Sequence, residues 1–263
     1  MSELINDTLI LTGRHMRHIA RVPEKLFGVT LGPVVMVLVF GYLFGSAMTV
    51  PGGGGYREYI MAGIFTQVML SAVGTSAAGV AADLNNGLVD RFRSLPMSRY
   101  AVLLGRTVSD LAMTALSCVV MAAVGMAIGW RAHEGIGRAL LGFVLLLLLG
   151  FGMCWLGALI GLVVRSPEVV NQLAMFIVMP FAFLSNAFVP PDGLPRWLQV
   201  ISEWNPVSSV VSACRELWGN PTTRVSGAFP AEHPVLVSLT ALTALLAVVI
   251  PLTARAYQRA AAR

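Results

Sequence analysis

Apolar and polar positions divide this chain into long uncharged stretches separated by charged joints. Six stretches reach the roughly 20 apolar residues that a helix needs to cross a bilayer. They are 27–46, 59–82, 109–130, 139–164, 169–189 and 234–254. None carries Asp, Glu, Lys, Arg or His near its centre, and Asp110 stands in the first turn of the third. The fourth is the most apolar, uncharged over 140–164 with the run Val144-Leu-Leu-Leu-Leu-Leu149. Gly, Ser, Thr and Asn dilute the second and fifth. The pattern predicts an all-α integral membrane protein with six transmembrane helices, read as one domain over 1–263.

The joints are patterned too. In 3–22, Ile5, Leu9, Met16 and Ile19 share one helical side, while Arg14, Arg17 and Arg21 share the other. That is the layout of an interfacial amphipathic helix, its apolar side among headgroups and its Arg side on anionic lipid. Within 83–108, Leu84, Leu88, Phe92 and Leu95 recur at i, i+4, i+8 and i+11 as one apolar face. Asp90, Arg91 and Arg93 lie off that face, and Pro96 stops the helix. Such a short amphipathic helix suits docking on a membrane or in a partner's groove. The segment 190–233 opens with a turn-rich break ending at Pro195 and then reads as two helices. The first, 196–204, holds Trp197 and Trp204 two turns apart; Asn205-Pro206 breaks it, and 207–218 is the second. Trp at headgroup level is a common anchor. Two short helices here fit either a re-entrant pair with protein-buried ends or a folded external cap.

Composition agrees. Hydrophobic residues make up 56% and charged residues 12%, about half the share in soluble domains. Mean hydropathy is +0.76. A disordered chain, a disulfide-rich secreted module and an ordinary cytosolic enzyme are excluded. The net charge of +5 rests on 17 Arg and the single Lys25. With the N-terminus inside, 1–26, 83–108, 165–168 and 255–263 are cytoplasmic and hold two-thirds of the 18 basic residues. That bias puts both termini in the cytoplasm, so the basic excess speaks for a membrane and not for nucleic acid. Cys118, Cys154 and Cys214 form no CxxC, and no metal or disulfide framework is indicated. The first apolar stretch is too long for the core of a cleavable signal peptide.

Three stretches carry a family likeness: Leu88-Val-Asp-Arg-Phe-Arg-Ser-Leu-Pro-Met-Ser-Arg99 with Leu104-Gly105-Arg106; Asn186-Ala-Phe-Val-Pro-Pro-Asp-Gly-Leu-Pro-Arg-Trp-Leu-Gln199; and Trp204-Asn205-Pro206 with Ala213-Cys-Arg-Glu216. With the six-span layout they resemble the ABC transporter type 2 permeases, most closely the daunorubicin-resistance type of drug exporter, over nearly the whole chain. The resemblance implies a bacterial plasma-membrane assembly of two permease subunits, identical or related, with two ATPase subunits. It makes Leu84, Leu88, Arg91, Phe92, Leu95 and Pro96 a coupling helix on the ATPase. It makes 192–218 a re-entrant pair near an external gate, marked by Pro195, Trp197, Trp204, Asn205 and Pro206. ATP and Mg would bind the partner. This chain has no GxxxxGK[ST], and its only Lys is Lys25, so no cofactor is expected on it.

Two other classes compete. A proton-coupled secondary transporter keeps Asp, Glu or His at depth in the membrane despite an insertion cost of about 2.5–3.5 kcal/mol, and these spans hold none. An intramembrane enzyme would show HExxH, GxSxG or a deep His/Asp pair, all absent from the sequence. Sodium coupling through carbonyls stays open. For cargo, Met175, Met179 and Phe183 share a face of the fifth span at i, i+4 and i+8, with Asn171 and Asn186 extending it. Methionine and aromatics make an adaptable apolar wall for greasy ligands. Lipid-facing or core packing is the competing reading. Gly41-x3-Gly45, Gly125-x3-Gly129 and Gly157-x3-Gly161 have the spacing of close helix contacts.

Overall fold

The computed structural model describes residues 31–32, 34–44, 55–85, 99–164, 166–222 and 228–261, and no strand occurs among them. Residues 34–39 are helical and run into a π-turn, Phe40–Phe44. Then come α1 (Tyr56–Asn85), α2 (Arg99–Ala127), α3 (Gly135–Val163) and α4 (Pro167–Phe183). Four shorter or later elements follow: α5 (Arg196–Trp204), α6 (Pro206–Trp218), α7 (Phe229–Glu232) and α8 (Pro234–Ala261). Helices α1, α2, α3 and α8 are long and apolar enough to cross a membrane; the 17-residue α4 carries a shorter apolar stretch. The interfacial helix over 3–22 lies outside the described residues, as do Leu88, Arg91, Phe92, Leu95 and Pro96 and, in the first predicted span, residues 27–30, 33, 45 and 46.

Three boundaries differ from the sequence reading. Helix α2 begins at Arg99, so 99–108 belong to a long helix and not to a joint. The charge of Arg106 is tolerated there because Asp83 and Asp110 pair with it. The α8 helix continues past 254 through Arg255 and Arg259. Helix α4 ends at Phe183 although apolar residues continue to Val189. Pro180 lacks the N–H for the i−4 ladder, and 184–189 form turns.

Helix α1 is the central post. Tyr59, Ile60, Met61, Ile64, Phe65 and Met69 on it are fully buried. Its closest neighbour is α3, and Gly157 and Gly161 make that approach possible. A Cβ on Gly157 would press on the Val73 carbonyl and lie 3.0 Å from Ser76 Cβ; one on Gly161 would press on the Ala77 carbonyl and lie 2.9 Å from Val80 Cβ. The small-xxx-small spacing thus serves packing within this chain. Ser76 reinforces the seam by donating to the Cys154 carbonyl at 3.0 Å.

Contacts sort the helix ends into two groups. At one end, Glu58 meets His133 at 2.9 Å and the Trp218 carbonyl accepts from His133 N at 2.8 Å. The start of α1, the α2–α3 connection and the short helices α5 and α6 gather there. At the opposite end, Asp83 meets Arg106, and Leu84 joins Leu103, Leu104, Trp155 and Tyr257 in a second apolar cluster. The chain thus shuttles between two ends from α1 to α3, and α8 returns from the short-helix end along α3.

Candidate functional site

The short-helix end is built on α6. Asn205 starts it: its Oδ1 accepts from Val207 N at 2.9 Å, as an N-cap does, and Pro206 fills the first position. The same side chain donates from Nδ2 to the Phe181 carbonyl at 2.7 Å, satisfying one of the carbonyls that α4 leaves open at its end. One amide therefore joins two helix ends. Gly219, at φ +65°, stops α6 in the left-handed region that glycine takes without strain. Asn220 follows and accepts from Trp130 Nε1 at 2.8 Å while donating to the Arg131 carbonyl at 2.8 Å. Phe65, Trp130, Phe143 and Trp218 pack edge-on or tilted around this corner. The Trp218 indole donates to the Ala139 carbonyl at 3.2 Å. The far end of α6 is thereby fixed to α1, the α2–α3 connection and α3.

Arg215 lies at the centre of this end and is 1% exposed. Its Nε donates to the Tyr59 carbonyl at 2.9 Å, and its Nη2 donates to the carbonyls of Asn186 and Ala187 at 3.0 and 3.2 Å. The guanidinium carbon sits 3.5 Å from the centre of the Tyr59 ring. Among the described residues no carboxylate pairs with it. The charge is met instead by carbonyl dipoles and a π face. The Tyr59 hydroxyl also donates to the Asn186 carbonyl, at 3.0 Å. The turn at 186–187 is pressed onto α1 at Gly63, where any Cβ would collide with the Ala187 carbonyl. Sequence reasoning gave Arg215 no role. A signal was there: Val207, Val211 and Arg215 fall at i, i+4 and i+8, so a cation stands on the apolar stripe of α6.

The sequence-predicted pathway residues divide. Met175, Met179 and Phe183 do share one face of α4, and all three are exposed. Phe176 and Phe181 are exposed as well. Asn171 lies near the α1 face at Gly74. Asn186 leaves the row. The helix has already ended, and its side chain turns inward, donating from Nδ2 to Ser212 Oγ at 2.8 Å while its backbone N donates to Ser208 Oγ at 3.1 Å. Among the gate residues, Asn205 is buried, whereas Trp197 and Trp204 are about two-thirds exposed, at 64% and 66%. Pro195 precedes α5 and its carbonyl accepts from Leu198 and Gln199 N. Of the coupling residues only Leu84 is described, in the apolar cluster of the opposite end.

That opposite end holds the second charged group. Arg106 pairs with Asp83 across from α1 and, from Nε, with Asp110 at 3.4 Å on its own helix. Gly79 leaves the room its guanidinium fills. The pairing ties the end of α1 to the start of α2, on either side of the predicted coupling segment. Among the described residues no group of His, Cys, Asp and Glu is arranged to hold a metal.

Comparison with known proteins gives a consistent picture. The family model for the ABC-2 type transporter matches residues 6–218. The daunorubicin resistance ABC transporter permease protein DrrB1 of Streptomyces coeruleorubidus is 30% identical over 97% of this chain and 87% of its own length. The doxorubicin resistance ABC transporter permease protein DrrB of Mycobacterium tuberculosis is 29% identical over 94% of this chain and 90% of its own. The putative transport permease ycf38 of Porphyra purpurea is 25% identical over 83% and 76%.

Proposed function

This chain belongs to the ABC-2 type transporter family, and from that premise we propose that it is the membrane permease subunit of an ATP-driven exporter of hydrophobic drugs, lipids or glycoconjugates. The observation that carries the reading is full-length similarity to drug-resistance ABC permeases. In this reading six helices span the plasma membrane of a bacterium with both termini in the cytoplasm. A separate ATPase subunit binds ATP and Mg, and a second permease, identical or related, completes the pathway.

The arrangement of charges supports a division of labour. The short-helix end is the external gate: Arg215, Tyr59, Asn205 and Asn220 lock α6 against α1 and the end of α4, so these elements move as one piece. The opposite end is cytoplasmic. There the segment from Leu84 to Pro96, with Leu88, Arg91, Phe92 and Leu95, is the coupling helix on the ATPase. Arg106 with Asp83 and Asp110 ties both flanks of that segment together, so a push on it reaches α1 directly. Since α1 also carries Tyr59 and Gly63 at the gate, one rigid helix joins the two ends.

The test is reconstitution. The tagged chain purified from its native membrane should bring an ABC ATPase subunit with it, and vesicles of the complex should accumulate daunorubicin only with ATP. Phe92→Asp places an unpaired carboxylate in an apolar groove, at a cost of about 2 kcal/mol or more. It should abolish ATP-driven transport while the protein still inserts. Full transport in that variant removes the coupling assignment, and a purified chain that never associates with an ATPase removes the permease reading.

A further inference from the structure

Helix α5 is built inside out. Its polar side is turned to the protein: Ser202 is 2% exposed, Ser202 and Glu203 lie against α6 and α7 beside Ser209 and Pro230, and Gln199 donates to the Leu194 carbonyl at 2.9 Å. On the other side Trp197, Val200, Ile201 and Trp204 recur at i, i+3, i+4 and i+7, and all four are exposed. One apolar stripe thus runs outward along the whole helix, over about 10 Å from Trp197 to Trp204. The two Trp stand at its ends and are exposed to nearly the same degree. Among the described residues neither of their indole N–H groups has a partner, whereas the buried indoles of Trp130 and Trp218 donate to Asn220 and to the Ala139 carbonyl. Arg196 is exposed beside Trp197. The neighbours of α5 set its level. Asn205, next to Trp204, holds the Phe181 carbonyl in the last turn of α4, and α7 is followed at once by the start of α8. The helix therefore lies where two long apolar helices end.

The stripe selects what covers it. A surface helix in water turns its apolar side to the protein, and α5 does the reverse. Hydrocarbon suits the rings but not two unpaired indole N–H groups and an exposed guanidinium. A stable protein interface takes about 20–30 residues a side, and this stripe offers four side chains. The boundary between headgroups and acyl chains meets each requirement. Rings and aliphatic side chains enter the upper acyl region, while indole N–H groups and Arg196 reach ester and phosphate oxygens. We propose that α5 lies flat in the outer leaflet, its stripe about 5–10 Å into that boundary, with Trp197 and Trp204 at equal depth and phospholipid as the covering partner. On this assignment α5 is neither an upright re-entrant helix nor part of a cap standing in water. The proposal rests on the export reading only in naming the leaflet as outer; the depth of the helix is independent of transport.

Tryptophan fluorescence of the full chain in nanodiscs tests it, with three quenchers: phosphatidylcholine brominated near the glycerol end of its acyl chains, phosphatidylcholine brominated near the methyl end, and iodide in the water. The emission that Trp197→Phe removes from the native spectrum belongs to Trp197, and Trp204→Phe isolates Trp204 in the same way. Both side chains are exposed, so phenylalanine at either place disturbs no packing. Each difference should be quenched most by the shallow bromines, less by the deep bromines and less by iodide, and the two Trp should be quenched alike. The native chain carries the same test in its total emission, since Trp130, Trp155 and Trp218 are at most 4% exposed. Iodide quenching above that of both lipids would put α5 in water and overturn the proposal. One Trp shallow and the other deep would make the helix upright. Protection from all three quenchers would mean that protein covers the stripe, a second copy of this chain included. Each of these refutes the flat helix on lipid. Quenching reports depth and not transport, so a complex that exports nothing would sink the export reading and leave this assignment standing.

Discussion

Arg215 lies over the Tyr59 ring at 3.5 Å and donates to the carbonyl of the same residue at 2.9 Å, so one guanidinium grips both the side chain and the main chain of α1. The same group reaches the carbonyls of Asn186 and Ala187. Three elements that are far apart in sequence thus converge on a single cation. A buried charge is tolerable only when dipoles replace its water, and here the carbonyls and ring do so.

Replacing that group tests the lock. Arg215→Met keeps the apolar stem but leaves the Ala187 carbonyl without its donor. Arg215→Lys keeps the charge but cannot reproduce the planar fork. Both should lower stability, by about 2–4 kcal/mol. Thermal unfolding of the purified protein in nanodiscs reads this as a lower midpoint. A Lys variant as stable as the native chain would show that charge alone suffices and that the fork is irrelevant.

The α1–α3 seam gives a sharper comparison, because two glycines on one helix face different surroundings. A Cβ at Gly161 meets the Ala77 carbonyl and Val80, whereas one at Gly137 meets nothing within 4 Å. Gly161→Val should separate the helices and cost about 1–3 kcal/mol. Gly137→Ala should be neutral or stabilising by a few tenths, through the gain in helix propensity. The two unfolding midpoints should move apart; equal midpoints would refute the close approach.

How far the sequence foretold this structure depends on where the partners are. The pair α5 and α6 was readable because Pro195 and Asn205-Pro206 punctuate it locally. The face of Met175, Met179 and Phe183 was readable because it needs only helical spacing. Asn186 was not, since its place on that face assumed a helix that Pro180 and the following turns cut short. Arg215 was unreadable in function because its partners are main-chain carbonyls at 59, 186 and 187, and carbonyls leave no mark in a sequence. Arg106 was hidden by the habit of ending a span at its first charge. Of the predicted coupling stripe, only Leu84 falls among the described residues.

Arg106 carries the next prediction. Arg106→Gln leaves Asp83 and Asp110 without their shared cation, on helices held together at that point. The pairs are mostly buried, with side-chain exposures of 15% for Arg106, 34% for Asp83 and 14% for Asp110. The loss should be about 2 kcal/mol, discounted for the part open to solvent. Adding Asp110→Asn should restore part of it, since a neutral amide no longer needs the cation. A double-mutant cycle on unfolding free energies measures that coupling. Strict additivity of the two changes would mean that the triad is not an interacting unit.

The apolar row on α4 bears on cargo. Met175, Met179 and Phe183 are 57%, 42% and 71% exposed, and the described residues leave them uncovered; in the proposed reading lipid, a second permease or cargo covers them. Export of an apolar molecule needs a wall that grips by shape and contact area, and this row carries no charge to pair with it. Thioethers and a phenyl ring supply that wall without a fixed geometry. If Met179 touches cargo, Met179→Ala removes roughly 1–2 kcal/mol of apolar contact, which is about a tenfold weaker apparent affinity. Basal ATP hydrolysis by the complex should not change, since Met179 lies towards the end of α4 that Asn205 holds, away from the proposed coupling segment. Coverage by lipid predicts no dependence on cargo, and coverage by the second permease predicts a change in assembly instead. Cargo-stimulated ATPase activity against cargo concentration, for native and Met179→Ala complexes in nanodiscs, separates these outcomes. Superimposable curves would take Met179 out of the pathway, and the same result for Met175→Ala and Phe183→Ala would take α4 out with it.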